Sequence, residues 1–205
     1  MSANETRLVE GLRAFDEAAF ALLIRQYGAS MLRVAQLYVR SRSVAEEVVQ
    51  DAWLGALNGI GRFEGRSSLK TWLFRILTNT AKTRALREGR SVPFSALGDE
   101  SDDRPLEADR FLGPDTRFPG HWGSPPVDWA GAPEDRLVSN ETLGLISAAI
   151  DKLPPAQALV ITMRDVEGFT SGEVCNALEI SETNQRVLLH RARTKVRRAL
   201  EDYLA

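Results

Sequence analysis

The sequence predicts an all-α protein of two helical domains joined by an irregular acidic linker. Apolar residues recur at helical spacing through residues 12–90 and 134–205, and no useful stretch alternates apolar and polar side chains as a strand would. Seven of the nine prolines fall within residues 91–135, where that periodicity is lost. Because a long irregular connection inside one compact domain is uncommon, we expect domains at 1–90 and 136–205 with a linker at 91–135.

Composition and charge limit the class of protein. With 43% hydrophobic and 26% charged residues among 205, the chain is globular and can bury a core. Residues 1–90 carry 14 basic and 9 acidic side chains, residues 91–135 carry 3 and 10, and residues 136–205 carry 9 of each. Cys175 is the only cysteine, and neither a membrane-length apolar run nor a signal-peptide pattern is present. We therefore expect a cytoplasmic protein without membrane insertion.

The first domain is predicted to contain successive helices with polar or glycine-rich breaks. Ser43 is the expected N-cap of one helix and Ser67 or Ser68 of a later one, because short hydroxyl side chains satisfy free backbone N–H groups. The apolar positions expected to face the core are Phe15, Ala18, Ala19, Leu22, Leu23, Met31, Val34, Ala35, Tyr38, Val44, Val48, Ala52, Ala56, Leu69, Trp72, Leu73 and Ile76.

The second domain is predicted to be helical throughout. A helix begins after Leu153 at two prolines and stops at Gly168. Thr170 with Glu173 forms a capping-box pattern, and Ser181 is the expected cap of the last and longest helix. The expected inward positions are Leu143, Ile146, Ile150, Ala156, Leu159, Val160, Met163, Val166, Val174, Ala177, Leu178, Leu189, Ala192, Val196, Leu200 and Tyr203.

A basic segment interleaved with aromatic residues spans Arg62–Arg90. It holds eight Lys or Arg against two acids, and Phe63, Trp72 and Phe74 lie among them. Cations attract the phosphate backbone, and aromatic faces can stack on unpaired bases. An ordinary amphipathic helix with a solvated basic face is the alternative interpretation. We expect Trp72 to belong to the core because it lies on the apolar stripe.

A short helix, a three-residue turn and a second capped helix predict a helix-turn-helix. This geometry places the first turns of the second helix in the major groove, where Asn, Gln and Arg read base edges. Six cations and no acid lie between positions 186 and 198, a pattern suited to phosphate contacts. A plain helical hairpin with a basic flank is the alternative interpretation.

Together these segments resemble the bacterial RNA polymerase sigma factors of the extracytoplasmic-function (ECF) type. AEEVVQDAW at 45–53 and RFEGRSSLKTWLFRILTNTAK at 62–82 are similar to the family's domain 2. LPPAQALVITMRDVEGFTSGEVCNALEIS at 153–181 and LHRARTKVRRAL at 189–200 are similar to domain 4. The two matches occur in the family's order with the expected gap between them.

The resemblance implies partners for this chain. In the family, a helix like Ala45–Leu57 binds the clamp helices of the polymerase β′ subunit, and the β flap is a further contact of core RNA polymerase. Promoter DNA and an anti-sigma factor are the other implied partners, with no cofactor and no catalysis. The core-binding face is predicted to comprise Glu47, Gln50, Asp51 and Leu54, because these positions lie opposite the apolar face.

The resemblance also implies DNA contacts. The family opens the −10 promoter element and holds a flipped-out base there, and the matching residues are Arg62, Phe63, Arg66, Arg75, Asn79 and Lys82. Among these we expect Asn79 to read a base and Arg62, Arg66 and Lys82 to contact phosphates. The −35 element would be read from the last helix by Ser181, Thr183, Asn184, Arg186, His190, Arg191 and Arg193.

The last helix departs from the family's common pattern near its start. Gln185 stands where an apolar residue is usual, and Val187 and Leu188 stand at positions often polar or basic. We expect either a slightly rotated helix or apolar contacts with thymine methyl groups.

Two other functional classes remain as alternatives from the residues. A conventional helix-turn-helix regulator would bind a palindrome as a symmetric dimer without polymerase. A nuclease would need clustered carboxylates for metal, but the densest acid cluster, Asp99–Asp103, lies in the linker. Those acids are also predicted to mask the basic surfaces or to mimic nucleic acid. Trp122 and Trp129 are expected to dock on the protein or a partner, and Cys175 is expected to be a core thiol.

Overall fold

The computed structural model describes residues 3–89 and 140–204, which are helical apart from the turns between helices. The all-α prediction is confirmed over these ranges. Asp99–Asp103, Trp122 and Trp129 lie outside the described residues. The helices are α1 Ala3–Arg13, α2 Glu17–Gln36, α3 Arg42–Gly59, α4 Leu69–Arg87, α5 Asn140–Asp151, α6 Pro155–Ile161, α7 Ser171–Leu178 and α8 Glu182–Leu204.

The helix starts follow the expected capping chemistry with one correction. Ser68 Oγ accepts a hydrogen bond from the backbone N–H of Thr71 at 3.2 Å, which begins α4 as predicted. The cap of α3 is Ser41 and not Ser43, because Ser41 has extended backbone and accepts from the N–H of Val44 at 3.2 Å. Ser43 lies in the first turn, with its hydroxyl 3.0 Å from that of Ser41.

The N-terminal end contains a helix that the predicted start at residue 12 omitted. Helix α1 ends at Arg13, and Phe15 lies in the turn that leads to α2 with a positive φ of 55°. Its side chain is 77% exposed, so the prediction that Phe15 faces the core is wrong. Leu22 is also exposed, because it lies on the outer side of α2.

The core of the N-terminal bundle, α1–α4, is formed where α3 and α4 pack on α2. Met31, Val34, Leu73 and Leu77 are almost fully buried there. Trp72 is half-buried against this core, with its ring centroid 5.1 Å from that of Phe63. The tryptophan therefore packs as expected and is not a free stacking surface.

The C-terminal bundle, α5–α8, is centred on α6 and α8. The chain widens after α6 into a π-turn at Thr162–Val166, in which the N–H of Glu167 donates to the carbonyl of Thr162 at 2.9 Å. Leu159 and Met163 are fully buried there. Three predicted inward positions are instead exposed, because they lie on outer faces or at a helix end: Leu143, Val166 and Tyr203.

Helices α7 and α8 form the predicted helix-turn-helix. The capping box is complete, since Thr170 Oγ1 accepts from the N–H of Glu173 and the Glu173 carboxylate accepts from the N–H of Thr170. Glu179 ends α7 in the left-handed conformation at φ 60° and ψ 44°. Ser181 then caps α8 by accepting from the N–H of Asn184 at 3.2 Å.

The two bundles pack against each other through α4 and α7. Phe169, which precedes α7, is 1% exposed and meets Phe74 of α4 edge-on at 4.8 Å between ring centroids. Lys70 Nζ lies 3.8 Å from the centroid of the same ring. Thr78 Oγ1 of α4 donates to the carbonyl of Ala177 at 2.8 Å. Helix α4 is therefore covered along one side by the helix-turn-helix.

Candidate nucleic-acid interface

The segment between α3 and α4 carries the first predicted DNA residues. Arg62 ends a short 3₁₀ turn and is exposed, as is Arg66, whose Nε lies 2.6 Å from a carboxylate oxygen of Glu64. Phe63 is only 4% exposed because its ring packs on Trp72. The expectation of Phe63 as a surface that contacts DNA therefore does not match its position, since the ring belongs to the core.

The predicted DNA residues of α4 lie on its outer side. Asn79 is exposed and lines an open groove of about 350 Å³ together with Asp51 and Arg84. Arg75 and Lys82 also reach the surface but contact the C-terminal bundle. Arg75 Nη2 lies 2.7 Å from a carboxylate oxygen of Glu179, and Lys82 Nζ lies 3.4 Å from the carbonyl oxygen of Leu178.

Three glutamates of the C-terminal bundle, Glu167, Glu173 and Glu179, face the N-terminal bundle; we call them the acidic row. Glu167 accepts from Arg33 Nε at 2.6 Å, and its backbone carbonyl accepts from Lys70 Nζ at 2.6 Å. The carboxylate of Glu167 is 6% exposed, whereas the side chain of Arg33 is 53% exposed. One end of the row thus combines an ion pair with a charged backbone contact.

Glu173 is the middle of the acidic row and has two sets of contacts. Besides its capping box, it accepts from Ser68 Oγ at 2.9 Å and from Thr71 Oγ1 at 3.2 Å. Burial raises the pKa of this carboxyl, but hydrogen bonds from Thr170, Ser68 and Thr71 outweigh that effect and lower it overall. One carboxylate therefore caps α7 and binds the N-terminal turn of α4.

Burial acts on the cations of this contact as well. The pKa of Lys70 is lowered because its ammonium is partly removed from water, although Glu173 and Glu167 oppose the change. The acidic row thus places carboxylates against a face of α4 whose cations would otherwise be available to phosphates.

The predicted core-binding face on α3 is exposed in this arrangement. Glu47, Gln50, Asp51 and Leu54 all lie on the surface, and Leu54 is 59% exposed. A carboxylate oxygen of Glu47 pairs with Arg84 Nη2 at 2.8 Å. The face therefore combines acids with one apolar side chain that water covers in the described residues.

The reading end of α8 is open. Ser181, Thr183 and Arg186 are exposed, and Asn184 is half-buried. Farther along the helix, His190 and Arg191 are half-buried. Burial lowers the pKa of His190, and nearby Arg193 lowers it further. The imidazole therefore favours its neutral form at a position that sequence reasoning placed beside phosphate.

Arg193 corrects the sequence prediction for α8. Its side chain is 8% exposed, and both Nε and Nη2 donate to the Asp165 carboxylate at 2.8 and 2.7 Å. This bidentate pair fastens the π-turn to α8. Arg193 is therefore a structural residue here, and a charge pattern alone cannot separate it from the exposed cations beside it.

The departures at the start of α8 have a packing explanation. Gln185 is 3% exposed and accepts from Ser171 Oγ at 2.8 Å, so it links the two helices of the helix-turn-helix. Leu188 is 4% exposed and cannot contact thymine methyl groups, whereas Val187 is 41% exposed. Cys175 is half-buried and not a full core thiol; burial first, then Glu182, raises its pKa.

Sequence reasoning missed the acidic row and the polar residues of α1. Glu167, Glu173 and Glu179 lie six positions apart along the chain, but no local pattern distinguishes an acid that faces another domain from one that faces water. Helix α1 had a usable signal, since Leu8, Val9 and Leu12 have helical spacing.

Two structural searches complete the description. Within residues 3–89 and 140–204, no group of three or more His, Cys, Asp or Glu side chains could hold a metal ion. Over the same ranges, the helices are too short or too polar to cross a membrane.

Comparison with known proteins gives consistent matches. Residues 23–91 match the family model for Sigma-70 region 2, and residues 143–196 match that for Sigma-70, region 4. The chain is 30% identical over 185 residues to a probable RNA polymerase sigma factor of Haemophilus influenzae, covering 89% of this chain and 90% of that protein. It is 29% identical over 189 residues to the ECF RNA polymerase sigma-E factor of Escherichia coli K12, covering 92% and 90%.

The fold is also similar to a solved structure. The sigma factor RpoE of Bartonella quintana, determined in complex with the anti-sigma factor NepR, superposes with a TM-score of 0.56 at 21% identity. The match covers 89% of this chain and 96% of that one.

Proposed function

Because this chain belongs to the ECF-type RNA polymerase sigma factors, non-catalytic factors of transcription initiation, we propose a role for each of its exposed surfaces. The α3 face of Glu47, Gln50, Asp51 and Leu54 binds the clamp helices of the polymerase β′ subunit. Its exposure and its acidic character support this assignment, since clamp residues of opposite charge would steer the encounter. The C-terminal bundle contacts the β flap.

The loop after α3 and the outer side of α4 open the −10 element. Asn79 reads an unpaired base, with Arg62, Arg66, Arg75 and Lys82 at phosphates. The observation that carries this proposal is the exposure of Asn79 beside a groove of about 350 Å³ on a cationic helix. Phe63 is left out of the contact set because its ring is buried.

The start of α8 reads the −35 element. Ser181, Thr183, Asn184 and Arg186 lie at the open end of the recognition helix, while His190 and Arg191 lie closer to its flank. Arg193 is excluded because it is paired with Asp165. The division at 1–90, 91–135 and 136–205 stays a prediction, as does a cytoplasmic location.

The packing between the bundles is a masked form of the factor. In it, Arg75 and Lys82 contact Glu179 and Leu178 instead of DNA. Core polymerase would separate the bundles, and an anti-sigma factor would hold the factor inactive, as NepR is bound to the Bartonella quintana protein. The proposed masking by the linker acids Asp99–Asp103 is a separate prediction for residues that the structure does not describe.

Run-off transcription tests the function directly. Core polymerase plus this protein, on a library of native promoter fragments, is expected to give heparin-resistant transcripts that depend on the added protein and reveal the promoter motif. Tight palindrome binding without transcripts or co-elution with core would contradict the proposal.

Two variants then test the surfaces. Asp51→Lys is expected to weaken binding to core polymerase, whereas Glu17→Lys, an equal charge change at an exposed position of α2, is expected to leave it unchanged. Asn79→Ala is expected to remove base preference at one −10 position while preference at the others persists. Uniform loss at every position would contradict the role of Asn79 as a base reader.

A further inference from the structure

Helix α1 holds both ends of the loop formed by residues 63–68, which we call the melting loop. We propose that Glu5 and Arg13 are positioning residues that fix this loop for capture of the unpaired −10 base. The inference rests on the proposed function, since it assigns α1 a part in promoter opening and no DNA contact of its own.

Arg13 holds the start of the melting loop. Its Nη2 donates to the carbonyl oxygen of Phe63 at 2.6 Å, and its Nε lies 3.5 Å from the carbonyl oxygen of Ile60. These carbonyls belong to the last turn that follows α3, where no further helical N–H can reach them. A guanidinium with several fixed donors can bind both at once.

Glu5 holds the end of the same loop. Its Oε1 accepts from the backbone N–H of Leu69 at 2.5 Å, at the first residue of α4. A carboxylate at a helix N-terminus satisfies a free N–H and complements the positive end of the helix dipole. Ser68 already caps that terminus through Thr71, so Glu5 adds a second bond there from another helix.

The helix that carries these two side chains is itself fixed. Val9 and Leu12 lie between them in sequence and are each 3% exposed. Glu5 and Arg13 are about two helical turns apart, or ~12 Å along the axis. Helix α1 therefore spans the two ends of the loop as a rigid bar that is anchored in the core.

The interior of the loop has much less support than its ends. Phe63 is anchored on Trp72, but Glu64 and Arg66 are exposed and Gly65 adopts a positive φ of 72°. Fixing the ends reduces the conformational entropy that the loop would lose when it closes on a base. The contacts of α1 thus lower the entropic cost of base capture while leaving the tip accessible.

This role is specific to the chain's own N-terminal helix. The match to Sigma-70 region 2 covers residues 23–91, so Glu5 and Arg13 lie before it. The residues of the loop belong to the matched region, whereas the residues that hold it do not.

The experiment measures affinity of the full-length holoenzyme for a single-stranded non-template oligonucleotide of the −10 motif found by run-off transcription. Arg13→Ala is expected to weaken this binding roughly tenfold, since a hydrogen bond from a charged donor to the loop is lost. Affinity for core polymerase is expected to be unchanged. Arg13→Lys is expected to recover part of the loss, because an ammonium can still reach one carbonyl.

Arg7→Ala is the matched control, because Arg7 is an exposed cation of the same helix that does not contact the loop. Equal oligonucleotide affinity in the Arg7 and Arg13 variants overturns the inference, as does an equal loss of affinity for core polymerase. Glu5→Ala against Glu10→Ala repeats the comparison at the other end if Arg13→Ala lowers the melting temperature. A wild-type holoenzyme that opens no promoter overturns the proposed function and this inference with it.

Discussion

On α4, Arg75 donates to Glu179 and Lys82 reaches the carbonyl of Leu178, whereas on α8 the side chain of Arg186 extends from an exposed position. Both helices carry cations suited to phosphates, yet one surface is covered by the other bundle and one is open. The difference teaches that net charge along a segment does not determine availability. We expect the open −35 surface to bind DNA in the free protein more readily than the covered −10 surface.

Phe169→Ala is expected to have the largest effect on this difference. The ring is 1% exposed and packs on Phe74 and Lys70, so its loss should cost about 3–5 kcal/mol, largely in packing between the bundles. Small-angle scattering should then report a larger radius of gyration, and polymerase-free DNA binding at low salt should rise. Val187→Ala, at an exposed position, serves as the control; an unchanged radius for both variants would show that the packing does not depend on Phe169.

Arg193→Ala sharpens the distinction between buried and exposed arginines of α8. Removing a bidentate partner of Asp165 should lower the free energy of unfolding by about 2–3 kcal/mol, less than for a fully buried pair because Asp165 is 34% exposed. Denaturant unfolding of the full chain measures it. A variant of wild-type stability that loses −35 affinity would return Arg193 to the DNA-contact set.

Arg186→Ala is the complementary change on the open surface. We expect stability within about 0.5 kcal/mol of wild type, because the side chain is exposed. Affinity of the holoenzyme for −35 DNA should fall by about 1–2 kcal/mol, as for loss of one base or phosphate contact. Fluorescence anisotropy against a mutated −35 sequence measures it, and unchanged affinity would remove Arg186 from the interface.

Acidification is expected to have the smallest effect on the covered surface. Hydrogen bonds in the packed form lower the pKa of Glu173 below its ordinary value of 4.5, so its contribution is fully present above that value. The contribution is lost as pH falls through the lowered pKa, which weakens the packing by about 1 kcal/mol or less. Hydrogen exchange of α4 and α7 between pH 6 and 3 (roughly one unit past the ordinary value on either side) follows it. Glu173→Gln should remove that part of the dependence.

The sequence predicted those features that local chemistry determines. Ser68, the Thr170–Glu173 capping box and Ser181 were found because a helix start has a fixed demand for acceptors near its free N–H groups. The apolar stripes of α3 and α4 followed from period alone. Ser41 was missed because two serines one residue apart satisfy the same pattern, and only backbone conformation separates them.

The candidate site was less predictable where two distant segments meet. Arg193 was assigned to DNA because its partner, Asp165, lies 28 positions earlier. Phe63 was assigned to DNA because aromatic residues beside cations suit both a core and a stacking surface. The acidic row stayed hidden since its partners lie about a hundred positions away, and no pairing rule for sequence reaches that far.

The π-turn at Thr162–Val166 makes the gene unusually sensitive to length at this point. A π-turn holds one residue more than the α-helix around it, so deletion of a single codon here would restore regular winding. Each residue of a helix accounts for about 100° of rotation. The in-frame deletion would therefore swing Glu167 and Phe169 away from the N-terminal bundle while keeping every side chain of that contact. Reading-frame-preserving loss at this turn is thus a route by which a lineage could uncouple its two halves without replacing any residue at their boundary.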